Sequence, residues 1–399
     1  MTREELRIEN VNEARDDRFH RFKLIGWWDQ ERLRNAKVLV VGAGALGNEI
    51  VKNLALLGVG NLFVIDLDAI EHSNLSRSVM FRARDEGRPK AEVIAEAARD
   101  IYPEMNVQWC KGNVVYDLGL GVFRWADVVL GGLDNREARL AINRAAFKMN
   151  RPWIDGAIEC LDGVARVFAP GGPCYECTMS KDDWKLLEMR RSCALLTRDQ
   201  MLAGKVATTP TSASIIAAIQ VQEAVKLLHG LESLCGKGYH FFGLTHDSYV
   251  AEYSRKEECY SHDRFERVLS LNKGTSQTEL RALLSEMKAK LGADTVLELN
   301  SDILTALECR RCDTTEAVFR SLGRVSERDG LCPGCGQPRE LGTTSTLYGD
   351  ESYLEMTFQA LGVPPFDIIT ARNGTSRLHI EFSGDRREVL GPLCPEPIA

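Results

Sequence analysis

Residues with the types and spacing to do chemistry begin near the start of the chain. Gly42-Ala43-Gly44-Ala45-Leu46-Gly47 has the GxGxxG spacing of a turn between a strand and a helix. Glycines at such a turn let the backbone approach a phosphate, and the helix N-terminus supplies oriented N–H donors. Asp66 stands nineteen residues after Gly47, the place of a carboxylate that holds a ribose hydroxyl. Alone, this pattern serves a nicotinamide dehydrogenase as well as an ATP site. The residues beyond it separate the two: Asp68, Asn74, Arg77 and Lys90, then Asp134 and Asn135 with Arg139. Hydride transfer has no use for Arg, Lys and Asp around a triphosphate, whereas nucleotidyl transfer does. Arg77 and Lys90 can neutralise phosphate charge, and Asp134 can hold Mg²⁺. Singly, each reads as a solvated surface charge; behind the glycine turn they read together as a nucleotide site.

The second set is cysteines, of which the chain has 12. Cys309-x-x-Cys312 and Cys332-x-x-Cys335 are nineteen residues apart, the spacing of a four-thiolate zinc site. Four thiolates leave no open coordination position, so this metal is structural. Cys174-x-x-Cys177 is a further pair. Cys193, in EMRRSCALLTRD, has Arg190, Arg191 and Arg198 as neighbours. Basic neighbours lower a thiol pKa and raise the thiolate fraction, which suits a nucleophile; the plain alternative is an inert buried cysteine.

The elements that must position these groups follow from periodicity. Short apolar strands at VLVVGAG, NLFVID, NVQWCKG, WADVVLGGLD and RPWIDGAI alternate with helices, one running to about Leu57, others at RPKAEVIAEAARDIYP and from Arg136 to Met149. That alternation predicts parallel βαβ units. Residues 1–36 read as helical, with Trp27, Trp28 and Leu33 as apolar anchors, and a further helix spans about Thr211–Leu228. The pattern changes near residue 255. Beyond it, SLNKGTSQTELRALLSEMKAKLGADTVLEL reads strand–helix–strand, the two cysteine pairs form a metal knuckle, and Ser345–Leu390 alternates like an antiparallel sheet, clearest at SRLHIEFSGD. FQALGVPPFDIITAR is either a partner surface or a packed turn. Apolar residues make up 44 % and charged residues 27 % of the 399, an ordinary globular balance. A net charge of −7 argues against a nucleic-acid partner. No apolar run reaches membrane-helix length and no secretion signal is seen, so the expected setting is cytoplasmic, with reduced cysteines.

DLDAIEHSNLSR, the GRPK stretch, LDNREAR and GGPCYEC together resemble the ThiF/MoeB/ubiquitin-activating superfamily over about Arg18–Leu228. The resemblance implies a Rossmann-like α/β adenylation domain over 1–262, with a mixed, mostly parallel sheet and a crossover loop at about 178–207. A smaller α+β domain with the zinc knuckle occupies 263–399. It implies ATP and Mg²⁺, bound by Gly42, Gly44, Gly47, Asp66, Asp68, Asn74, Arg77, Lys90, Asp134 and Asn135, and a homodimer in which Arg21 reaches the neighbouring subunit's ATP. Where the family has NLxRQ this chain has Asn74-Leu75-Ser76-Arg77-Ser78, which loses a glutamine and keeps the arginine. Relatives pair Cys174 and Cys177 with a second CxxC; here Cys259 and His262 stand in its place, giving a Cys₃His site and two structural zinc ions in all. A lone surface histidine is the alternative for His262. Cys193 falls in the crossover loop, where relatives carry a thioester or sulfur-transfer cysteine.

The implied activity is adenylation of the C-terminal glycine of a ubiquitin-like protein. Thioester formation on Cys193 and transfer to a ubiquitin-conjugating enzyme would follow, with 263–399 as the docking module. A compact chain without a second adenylation half or a large cysteine-domain insertion suggests a prokaryotic pathway, including antiphage defence, and the lack of a rhodanese-like segment counts against a sulfur-carrier role. Two alternatives stay open: a sulfur-carrier adenylyltransferase, and a nucleotide-binding scaffold without thioester chemistry.

Overall fold

A computed structural model describes residues 17–184, 207–326 and 328–394. Cys193 and its arginine neighbours lie outside the described residues.

The first sheet has eight strands in the order β3-β2-β1-β4-β5-β6-β7-β8. These are β1 (Lys37–Val41), β2 (Asn61–Asp66), β3 (Asn106–Lys111), β4 (Val128–Gly131), β5 (Trp153–Glu159), β6 (Asp162–Phe168), β7 (Lys237–Phe242) and β8 (Asp247–Glu252). The first five run parallel, and β6, β7 and β8 add antiparallel. The parallel strands are buried on both faces, as continuous apolar runs such as Val38–Val41 require. The antiparallel hairpins were not legible as periodicity, because β7 and β8 are half-covered and mix aromatic with charged residues.

The helices around this sheet are α1 (Gln30–Asn35), α2 (Ala45–Leu56), α3 (Lys90–Ile101), α4 (Leu120–Trp125), α5 (Arg136–Lys148), α6 (Tyr175–Thr178) and α7 (Pro210–His229). Helix α7 starts where Thr209 caps the Ser212 N–H with Pro210 next, and it stops at Gly230 with φ 71°. The helical reading of the N-terminal stretch is corrected within its described part. Residues 20–24 form a 3₁₀ turn and only α1 is α-helical. Leu33 is fully buried, but Trp27 is 49 % exposed and is no anchor.

The second sheet has the order β11-β10-β13-β14-β9, with β12 also on β10. Its strands are β9 (Val268–Leu271), β10 (Val296–Cys309), β11 (Thr314–Ser321), β12 (Glu340–Leu347), β13 (Ile368–Asn373) and β14 (Ser376–Phe382); α8 (Leu280–Leu291) packs on it. The strand–helix–strand reading of its first part is what forms. The FQALGVPPFDIITAR segment resolves to a packed turn, since Phe358, Leu361, Val363, Phe366 and Ile368 are all buried. Phe366, Ile368, Leu390 and Leu393 share one apolar cluster with Leu118, Leu120 of α4 and Trp153 of β5. No helix among the described residues is long and apolar enough to cross a membrane.

Candidate functional site

In the order β3-β2-β1-β4, the chain direction of assembly reverses between β1 and β4, and the crevice beyond their C-terminal ends is where such sheets take ligands. The glycine turn opens there. Gly42 has φ 96°, and a Cβ on it would lie 2.5 Å from the Gly132 carbonyl oxygen; one on Gly47 would lie 2.0 Å from the Gly42 oxygen. These two glycines therefore pack backbone against backbone. Gly44 differs, since a Cβ there meets nothing within 4 Å, so its backbone borders open space on the ligand side.

A chain of direct bonds ties the predicted residues to this turn. Asp66, at the end of β2, accepts from the Ala43 N–H at 2.6 Å and from the Asp68 N–H at 2.7 Å. Burial pushes the Asp66 carboxyl above its usual range, while Lys90 and the two N–H bonds hold it down. Asp68 in turn accepts from the Lys90 ammonium at 2.7 Å. The Lys90 side chain is 11 % exposed and that of Asp68 63 %, so the lysine is sheltered behind an exposed carboxylate. Arg77 is half-buried and donates to the Ser73 carbonyl at 2.8 Å. Asn74 is buried and accepts from the Glu71 N–H at 2.9 Å, a capping bond that shapes the segment carrying Arg77.

Across the crevice, Asp134 is exposed just beyond β4. Asn135 caps α5 by accepting from the Ala138 N–H at 2.8 Å. Arg139, expected to face phosphate, is instead buried. Its Nε donates to Asp155 at 2.9 Å, and its Nη2 reaches the Leu133 and Gly156 carbonyls. Asp155, fully buried, also accepts from Arg166. The physical reason is local: one buried carboxylate between two guanidiniums compensates charges that the interior would otherwise penalise. Arg139 thus fixes the loop that presents Asp134. Arg21 sits exposed on the N-terminal 3₁₀ turn.

Two residues of this region were missed in the sequence. Asn48, fully buried, donates to the Ala43 and Gly44 carbonyls and accepts from the Met80 N–H at 2.9 Å. Gln220, on α7, donates to the Gly131 carbonyl at 2.8 Å and the Ile154 carbonyl at 3.2 Å. A polar residue inside an apolar helical stripe was the only available signal for either.

The cysteines gather as two clusters. Cys174, Cys177, Cys259 and His262 form one, and Cys309, Cys312, Cys332 and Cys335 the other, each with its ligand atoms within 4.8 Å of one another. In the first, Cys174 Sγ lies 3.7 Å from Cys177 Sγ and 3.5 Å from Cys259 Sγ, and Cys177 Sγ lies 3.4 Å from His262 Nε2. In the second, sulfur pairs stand at 3.6 and 3.9 Å. Tetrahedral Zn²⁺ with Zn–S bonds of about 2.3 Å places sulfurs about 3.8 Å apart, so both donor sets fit a zinc-sized ion. Burial pushes the Cys174 and Cys259 thiols above their usual range, and a bound dication supplies what favours the thiolates. Around the first cluster, Asn143 accepts from the Tyr175 N–H at 2.9 Å, and Glu176 accepts from Ser261 and, at 3.3 Å, from Arg144.

Residues 17–261 match the ThiF family, more than half of the chain, and the chain belongs to that family. The fold is accordingly a Rossmann-like ThiF-type domain joined to a second, smaller α+β sheet. Among known proteins, the chain is similar to the sulfur carrier protein adenylyltransferase of Thermus thermophilus, 36 % identical over 174 residues, covering 41 % of this chain and 64 % of the relative. It is also similar to the SAMP-activating enzyme E1 of Haloferax volcanii, 38 % identical over 153 residues, with 38 % and 57 % covered. The NEDD8-activating enzyme E1 catalytic subunit of Arabidopsis thaliana is 38 % identical over 157 residues, with 36 % and 34 % covered. The matches thus span between about a third and just under two thirds of these relatives' lengths. Among solved structures, E. coli MccB with ATP superposes with a TM-score of 0.52 at 23 % identity over 63 % of this chain and 75 % of that one, a likeness of fold.

Proposed function

We propose that this chain is an adenylating enzyme that uses ATP to activate the C-terminal glycine of a ubiquitin-like protein. The observation that carries the reading is the bonded series Ala43–Asp66–Asp68–Lys90 at the β1/β4 crevice, with the exposed Asp134 just beyond the end of β4. The names of the relatives in Thermus, Haloferax and Arabidopsis agree with this class of substrate.

In the reaction, a carboxylate oxygen of the carrier's terminal glycine attacks the α-phosphorus of ATP. The new O–P bond forms as the bond to the β-phosphate oxygen breaks, and pyrophosphate departs with that electron pair. Two anions must be brought together, so fixed positive charge at the crevice lowers the barrier. Asp66 holds the ribose hydroxyls, the open backbone at Gly44 admits the phosphates, and Lys90 turns from Asp68 toward phosphate oxygen when nucleotide arrives. Arg77 adds a second cation, and Arg21 a third, from the neighbouring subunit of a homodimer. Asp134 would hold Mg²⁺, which would supply charge neutralisation when bound.

In the finer reading, residues 1–262 are the adenylation domain. Cys193 thiolate attacks the acyl carbon of the adenylate, AMP leaves, and the thioester passes to a conjugating enzyme docked on residues 263–399. A prokaryotic conjugation pathway in the cytoplasm, such as one used in antiphage defence, is the setting this reading fits. The test combines protein, ATP, Mg²⁺ and candidate ubiquitin-like proteins on non-reducing gels. A thiol-sensitive conjugate that disappears in Cys193→Ala supports the thioester. The second reading, activation of a sulfur carrier, is favoured by the name of the Thermus relative and gains if adenylate forms without any conjugate on Cys193.

A further inference from the structure

The first cysteine cluster lies where the two sheets meet. We infer that a cation held by Cys174, Cys177, Cys259 and His262 is the clasp that docks the second sheet onto the first, in addition to bracing the first. The inference rests on the metal-site geometry and not on the proposed adenylation.

His262 is followed at once by the residues that grip the second sheet. Asp263 pairs with Arg377 of β14 at 3.5 Å. Phe265 stacks on His379 of β14 with ring centroids 3.7 Å apart and planes within 8°. The Phe265 N–H donates to the Lys148 carbonyl at the end of α5, 2.9 Å away, and His262 itself stacks on Phe147 of the same helix. Within three residues the chain passes from a metal ligand to both sides of the junction.

The junction has two unlike sides. One is apolar and close-packed, with Phe366, Ile368, Leu390 and Leu393 against Leu118 and Leu120. There a Cβ on Gly121 would come within 2.4 Å of the Phe366 carbonyl oxygen, and the buried Leu120 N–H donates to Asp367 at 2.9 Å. The other side, next to the clasp, is polar. A cleft of about 170 Å³ is lined there by Lys148, Asp263, Glu298, Asn300, Arg377 and His379. Its cross-junction contacts are Lys148 to Asn300 at 3.1 Å, the Arg377–Asp263 pair and the Phe265–His379 stack. Apolar burial holds the first side without help. Half-exposed ion pairs contribute little, so the second side depends on what fixes residues 263–265: the Phe265 N–H bond to the Lys148 carbonyl at one end, and His262 and Cys259 on the metal at the other. Released from it, the second sheet turns about the Gly121–Phe366 contact and the cleft opens.

Cation binding also sets the ring tautomer. Metal on His262 Nε2 places the ring proton on Nδ1, yet Arg255 Nε now donates to Nδ1 at 3.2 Å. That bond is given up when the metal binds, and Arg255 keeps its bond to the Gly171 carbonyl, which its Nη1 reaches at 2.9 Å.

The test uses the full chain and three variants: Cys259→Ser, which removes a ligand; Phe265→Ala, which keeps every ligand and cuts the link; and Cys335→Ser, which disables the other cluster. Zinc content, acylation of the Lys148 amine, carbethoxylation of His379 and amide exchange at Leu120 are read together. The expected result for Cys259→Ser is loss of one of two zinc equivalents, with Lys148 and His379 labelling faster by about tenfold, a local opening, and Leu120 exchange unchanged. Phe265→Ala keeps both zinc ions and gives the same labelling, and it carries the test if Cys259→Ser does not fold. Cys335→Ser loses one zinc and leaves the junction closed. Unchanged Lys148 labelling in Phe265→Ala overturns the inference, as does a Cys335→Ser variant that opens the junction as far as Cys259→Ser does.

Discussion

The two cysteine clusters hold similar donors at similar spacings but are built in opposite ways. Cys309, Cys312, Cys332 and Cys335 close on themselves between β10 and β12, at the end of three strands. Cys174 and Cys259 are 85 residues apart in sequence, and their cluster is backed by α5, Glu176 and Ser261. A cation in the local cluster orders a ribbon. A cation in the long-range cluster ties together the first sheet and the linker to the second sheet. Loop-closure physics makes the second kind matter more to global stability.

That contrast can be broken by experiment, the largest effect first. Cys174→Ser, at a fully buried position, is expected to lose one zinc equivalent and destabilise the protein by on the order of 4 kcal/mol, since loss of a metal belongs among the largest single-residue effects; denaturant unfolding reads it. Ser261→Ala removes a donor to the buried Glu176 carboxylate. It should weaken zinc affinity at the first cluster by less than the roughly 10- to 100-fold typical of groups bonded directly to a ligand, measured by competition with a chelator. Cys335→Ser should lose the other zinc equivalent and leave the main unfolding midpoint in place; a midpoint that falls as far as in Cys174→Ser would erase the contrast.

The smallest effect concerns the junction's apolar side. Burial pushes the Asp367 carboxyl above its usual range, against the N–H of Leu120, the amide of Asn300 and the charge of Lys148. With the folded pKa above the unfolded one, the folded state binds more protons between the two values, so stability falls as pH rises through that window. Asp367→Asn keeps an acceptor for the Leu120 N–H and cannot ionise. Its stability should therefore decline less than wild type as pH rises above about 4, in urea titrations at several pH values.

The sequence reveals the parallel strands, the glycine turn and the local zinc spacing because each is encoded over a few neighbouring residues. VLVVGAG becomes β1 and the turn, and RALLSEMKAKL becomes α8. What it hides depends on partners far along the chain. Arg139 reads as a phosphate ligand until Asp155 and Arg166 are seen beside it. Asn74 and Asn135 read as nucleotide contacts, and only the fold shows that their amide oxygens also cap the Glu71 and Ala138 N–H groups. Asn48 reads as an ordinary helix residue, and only the fold shows it lacing the glycine turn to Met80. His262 is ambiguous by type and spacing, and gains meaning only from its 3.4 Å approach to Cys177.

The most direct test of the proposed chemistry is ATP–pyrophosphate exchange dependent on a ubiquitin-like protein with an exposed C-terminal glycine, comparing wild type, Lys90→Ala and Cys193→Ala. Adenylation at the β1/β4 crevice predicts exchange in wild type and in Cys193→Ala, with a loss of about 10²- to 10³-fold in Lys90→Ala, the size expected for one electrostatic contact to a charged transition state. Exchange that survives intact in Lys90→Ala would contradict the assignment of that crevice as the site of nucleotidyl transfer.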